Sequence, residues 1–134
     1  MSDEMGIVSP GESLAPGELL VILRHAPHGS SWLREGLEAA MVAAAFGREV
    51  GLLFTGEGVL ALLEGQQAGA LGQKGSDNLL AALEMYDVER CYVDAAALER
   101  RGLSENDVSL LPVTVLAHAD VVALTQCFSR VLSF

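Results

Sequence analysis

Two five-residue runs, Leu19-Leu20-Val21-Ile22-Leu23 and Val50-Gly51-Leu52-Leu53-Phe54, constrain this chain most, because neither contains a polar residue. A strand with one wet face alternates apolar and polar side chains. These runs do not alternate, so both of their faces must be covered. Such strands belong to a parallel sheet with helices on either side. Val88 to Val93 and Val113-Thr114-Val115-Leu116 read as a third and fourth strand, and Arg130-Val131-Leu132-Ser133-Phe134 as a fifth.

The segments between the strands carry helical periodicity. Ser30 or Ser31 can cap a helix in which Leu33, Leu37, Ala40, Met41 and Ala44 share one face, while Arg34, Glu35 and Glu38 face away. Gly47 ends it. A short apolar helix is expected over Val59 to Leu63, then a glycine-rich loop from Gly65 to Gly75. A helix starting at Ser76 or Asp77 carries Leu79, Leu80 and Leu83, and a further one spans Ala95 to Arg101. Ser104-Glu105-Asn106-Asp107 outlines a capping box with Asp in place of Glu. Val121, Leu124, Thr125 and Phe128 repeat at helical spacing, which places a last helix over Ala119 to Phe128. Strands alternating with helices predict an α/β fold: three layers, α/β/α, flavodoxin-like, around a mainly parallel five-stranded sheet. The acidic, Ser/Gly/Pro-bearing start reads as a flexible leader over residues 1–17, ahead of a single domain over 18–134.

With eight Lys+Arg against 18 Asp+Glu, the net charge of −10 argues against direct nucleic-acid binding, which rests on cationic contacts to phosphate. The chain is 51% hydrophobic with mean hydropathy +0.36. Its longest apolar run, Ala39 to Gly47, is about half of the roughly 18 residues a membrane span requires. The surplus apolar surface therefore points to contact with other subunits. Two cysteines, Cys91 and Cys127, lie far apart with no zinc-type spacing, so no metal site is expected. Without a secretory signal pattern, the expected compartment is a reducing cytoplasm.

Four places can carry chemistry. The loop His25-Ala26-Pro27-His28-Gly29-Ser30-Ser31 leads into a helix start, where free N–H groups favour anions. His28, Gly29, Ser30 and Ser31 are the anion-binding candidates, although neither GxGxxG nor GxxxxGK[ST] is present. Gly56-Glu57-Gly58 reads as a tight strand-to-helix turn. Cys91 lies in the third strand, with Arg90 pointing to the opposite face. A buried strand cysteine is an inert apolar residue unless exposure and a lowered pKa activate it. Asp94 follows that strand, at the carboxyl edge where parallel sheets place ligand crevices, and can cap the helix after it.

The blocks His25 to Ser31 with Arg34 to Ala39, Leu53 to Leu60 with Leu63-Glu64-Gly65-Gln66, and Tyr86 to Leu103, closed by Val131-Leu132-Ser133-Phe134, resemble the TusC/DsrF family. Tyr92-Val93-Asp94 is closer to the DsrF branch. The resemblance implies a subunit of a cytoplasmic hexamer with two copies each of three homologous chains, TusD/TusB-like or DsrE/DsrH-like. That complex exchanges persulfide sulfur with other relay proteins, for sulfur oxidation or for 2-thiouridine formation in tRNA. In the carrier paralogue a cysteine stands eight residues before the glycine of an Arg-Gly step. Here Asp94 holds that position. The resemblance thus implies a non-catalytic structural subunit with no cofactor of its own, in a sulfurtransferase complex, touching neither nucleic acid nor membrane directly. A carrier using Cys91 as persulfide acceptor, or a homo-oligomer binding a small anion, are the alternatives. The family pattern is departed from in the leader and at Lys74 to Asn78.

Overall fold

The computed structural model describes residues 14–63, 80–108 and 111–134. The apolar runs form strands β1 (Gly17–Leu23) and β2 (Val50–Phe54), joined by helix α1 (Trp32–Ala45). β3 (Arg90–Asp94) is followed directly by helix α2 (Ala95–Arg100), β4 (Thr114–Leu116) by helix α3 (His118–Cys127), and α3 by β5 (Phe128–Ser133). All neighbouring strands are parallel, in the order β4-β3-β2-β1-β5.

That order explains the two cores. From β1 to β4 the chain steps strand by strand across the sheet, and α1 and α2 cover one face. Val21, Leu23, Leu52, Phe54, Cys91 and Val93 meet Leu33, Leu37, Ala40, Ala97 and Leu98 there. The β4-to-β5 connection then returns across the opposite face to the far side of β1. α3 therefore covers that face, with Leu124 on Leu20, Leu53, Tyr92, Leu116 and Phe128. The expected three layers are present, but the second helical layer is thin.

Several boundaries shift from their sequence positions. The turn after β2 is a 3-10 helix over Gly56–Leu62, starting at the glycine itself, instead of a helix over Val59 to Leu63. The third strand starts at Arg90 instead of Val88, because Val88 and Asp87 finish a turn whose N–H groups bond back to Leu83 and Glu84. Residues 80–82 are helical and run into a 3-10 turn, Leu83–Tyr86. α3 spans His118–Cys127, one residue earlier at each end than expected, and β5 starts at once on Phe128. The expected loop Gly65 to Gly75 and the start of the next helix lie outside the described residues. At Ser104 the capping-box outline is realised: its N–H donates to Asp107 Oδ2 at 2.8 Å.

The packed body takes in residues assigned above to the leader. Leu14 is buried in the second core, and Arg90 holds the two residues after it. Its guanidinium donates to the Ala15 carbonyl at 2.7 Å, the Pro16 carbonyl at 3.3 Å and Tyr92 Oη at 3.0 Å, and lies 4.6 Å over the Phe128 ring. Charge-assisted hydrogen bonds and a cation over an aromatic face together outweigh an ordinary surface contact. Arg90→Met is expected to lower stability by about 1–2 kcal/mol in urea unfolding. Arg90→Lys should recover only part of this, since one ammonium cannot reproduce the fork.

Candidate functional site

The carboxyl edge of the sheet collects the ends of β1, β2 and β3, and three residues there are tied together. Asp94, 6% exposed, ends β3 and caps α2. Its Oδ1 accepts from the Ala96 N–H at 3.1 Å, and its Oδ2 from Thr55 Oγ1 at 2.8 Å. Thr55, the residue after β2, also donates its own N–H to the Leu23 carbonyl at 3.0 Å, at the end of β1. Thr55 thus joins the first strand to the third across the second. The expected capping role of Asp94 is what the geometry shows, whereas Thr55 is a site residue that sequence reasoning passed over. A hydroxyl one residue beyond a buried strand was its signal, inside a block already noted for other reasons.

The strand order reverses between β1 and β5, so the switch point of the sheet lies beside the loop His25 to Ser31. Asp94 is two strands away, roughly 10 Å at the usual strand spacing. Asp94 lies at the carboxyl edge as expected, and the His25 loop, read as the link from the first strand to the first helix, lies at the same edge but as a separate place. His28 and Gly29 are exposed, and Gly29 takes a positive φ of 92°. Ser31 donates its hydroxyl to Glu35 Oε2 at 2.7 Å, so the first turn of α1 already carries a carboxylate. Ser30 Oγ accepts weakly from the Trp32 N–H at 3.5 Å. His25 stacks on Trp32 at 5.6 Å between ring centres, and its buried Nδ1 finds no hydrogen-bond partner among the described residues.

Both cysteines lie away from this edge. Cys91 is the second residue of β3, near its amino end, and its side chain enters the first core. Arg90 and Tyr92 face the other core, as strand alternation predicted. Burial pushes the Cys91 thiol up to about 12. At neutral pH it is a neutral thiol, the wrong form for nucleophilic attack. It lines a cavity of about 220 Å³ with Glu84, Val88, Glu89, Leu111 and Pro112. Cys127 is half-buried under the second core, and its thiol donates to the Leu14 carbonyl at 3.0 Å.

Cys91 in the native chain is therefore expected to resist iodoacetamide at neutral pH and to react fully once urea unfolds it; intact-mass analysis reads both. The raised value has a second consequence. Below the ordinary thiol value of 9.0 both states keep the proton, and the full stability is present. Above it the unfolded chain ionises while the folded chain does not, so stability falls from about pH 9 towards about pH 12. Cys91→Ala should flatten that part of the pH profile.

One more buried charge went unnoticed in the sequence. Asp120 stands in the first turn of α3 with only 7% exposure, where the free N–H groups of the helix start favour a carboxylate. Among the described residues no group of three or more His, Cys, Asp and Glu could hold a metal ion. No helix there is long and apolar enough to cross a membrane.

Comparison with known proteins places this geometry among relatives. The model of the DsrE/DsrF-like family matches residues 18–134. The chain is 32% identical over 117 residues to a protein named TusC homolog from Vibrio parahaemolyticus serotype O3:K6, covering 87% of this chain and 98% of that one. It is 33% identical, with the same coverage, to a TusC homolog of Vibrio vulnificus. The crystal structure of the ychN protein from E. coli superimposes with a TM-score of 0.69 at 22% identity, covering 88% of this chain and 99% of the other, a likeness of fold.

Proposed function

This chain belongs to the DsrE/DsrF-like family, and from that premise we propose that it is a non-catalytic, structural subunit of a hetero-oligomeric sulfur-relay complex. The relatives named TusC homolog support the relay itself. The observation that carries the subunit's role is the state of Asp94. At the position where the carrier paralogue is expected to hold its cysteine, this chain holds a carboxylate engaged by Thr55 Oγ1 and the Ala96 N–H. A carboxyl group there has no thiol with which to accept or pass sulfane sulfur. The chain's two thiols do not replace it, since one is a buried neutral thiol and the other bonds a backbone carbonyl beneath the second core. What Asp94 does is lock the ends of β2 and β3, giving a neighbour's carrier residue a rigid edge to sit against.

The test is native mass spectrometry of the tagged chain recovered from its own host, followed by intact-mass analysis of each subunit. The expected result is a complex with two other small subunits, with added sulfur on one of them and none on this chain. Stoichiometric sulfur on Cys91, or a homo-oligomer containing this chain alone, would overturn the reading.

A further inference from the structure

The apolar side chains that the described fold leaves in solvent are not evenly scattered. Val42 (58% exposed) and Phe46 (80%) stand one turn apart at the end of α1, and Met85 (83%) and Tyr86 (40%) stand on the turn packed beside it. Between them runs a groove of about 310 Å³ lined by Glu38, Met41, Val42, Ala45 and Tyr86. The lining residues of α1 fall at i, i+3, i+4 and i+7, the spacing of one helix stripe. Met41 is partly buried against the first core, whereas Val42 and Ala45 are exposed and lie outside the buried side of α1, which Leu33, Leu37 and Ala40 supply. A concave, solvent-facing stripe in which three of the four α1 residues are apolar marks a contact surface.

The charges around it choose the occupant. Glu38 sits in the groove wall, and Glu84 and Asp87, both exposed, bracket Met85 and Tyr86. Of the described cations nearest in sequence, Arg34 is paired with Glu38 at 3.3 Å and Arg48 with Glu18 at 3.4 Å. A second copy would bring a like rim against this one, on a chain of net charge −10. We infer that the groove between α1 and the Met85 turn docks a protein partner that presents an apolar helix stripe flanked by lysine or arginine. Its apolar residues enter between Val42 and Tyr86, and its cations meet Glu84 and Asp87. This rests on the groove and its rim alone, and stands or falls separately from the sulfur-relay reading.

The test uses the full chain, isotope-labelled, and two synthetic amphipathic helical peptides with the same leucine stripe, one flanked by lysines and one by glutamates. The lysine peptide is expected to bind at least about tenfold more tightly, to weaken as salt rises, and to shift amides within residues 38–46 and 83–87. Phe46→Ser and Met85→Ser should abolish those shifts, while Val122→Ser, at an exposed apolar position on α3, should leave them unchanged. Unfolding curves of the three variants confirm that each is folded. Equal binding of both peptides, shifts centred on β5 or α3, or no binding would overturn the inference. So would self-association in sedimentation that Phe46→Ser removes, since the occupant would then be a second copy.

Discussion

Gly58→Ala is expected to cost about 3 kcal/mol or more and to leave little folded protein at ambient temperature. A Cβ built on Gly58 runs into the Leu23 carbonyl oxygen, with the Leu23 carbonyl carbon 2.7 Å away and the Arg24 nitrogen 3.3 Å away. All three are backbone atoms at the end of β1, an interior strand of the sheet, so no side-chain rotation can relieve the clash. The Leu23 carbonyl also accepts from the Thr55 N–H, and Thr55 holds Asp94. Pushing Leu23 aside would therefore disturb the whole carboxyl edge. Gly47→Ala gives the contrast. Gly47 has φ +82° with nothing within 4 Å of the added atom, so only the left-handed backbone is penalised, by about 1 kcal/mol. Urea midpoints of both variants read the difference, and comparable losses would show that the 3-10 turn after β2 does not press on β1.

The second large effect is at Asp94. Asp94→Ala removes the cap of α2 and leaves the Thr55 hydroxyl without its acceptor, at an expected cost of about 2–3 kcal/mol. Asp94→Asn should cost less than about 1 kcal/mol. Its amide oxygen can still accept from the Ala96 N–H, and the Thr55 hydroxyl can turn to accept from the amide nitrogen. A double-mutant cycle with Thr55→Val checks the pair: the coupling between positions 55 and 94 is expected to be about 1 kcal/mol or more. Additive losses would mean that the 2.8 Å contact contributes nothing measurable. Because Asn preserves the fold, Asp94→Asn also separates shape from charge at this edge. A complex that assembles normally around it would show that geometry, not the negative charge, is what a neighbouring subunit uses.

How much of this was legible beforehand follows from the range of the forces involved. The strands β1 and β2 were readable because unbroken apolar runs have no other use in a small α/β chain, and both fall within a residue or two of where expected. α1 was readable because its apolar stripe is local, and Leu33, Leu37 and Ala40 are among the residues it buries; Ser31 takes the N-cap position, but its hydroxyl goes to Glu35 and makes no capping bond. Asp94 as a cap was readable for the same reason: cap and capped N–H are two residues apart. The family resemblance rested on blocks of this local kind, and the matching family model spans residues 18–134.

Contacts between distant residues were not readable. Thr55 meets Asp94 across 39 positions, and Arg90 clasps Ala15 across 75, pairings that exist only once parallel register has set β1, β2 and β3 side by side. Strand order decided that the His25 loop lies at the switch point while Asp94 lies two strands away, since hydropathy is the same whichever strand is the neighbour. Burial of Cys91, which sets its thiol at about 12, depended on α2 and the 3-10 turns closing over one face. Sequence alone thus determined which segments become strands and helices, because those preferences act within a few residues. Only the tertiary structure decided which side chains share a site, because that is fixed by the cooperative packing of the two cores.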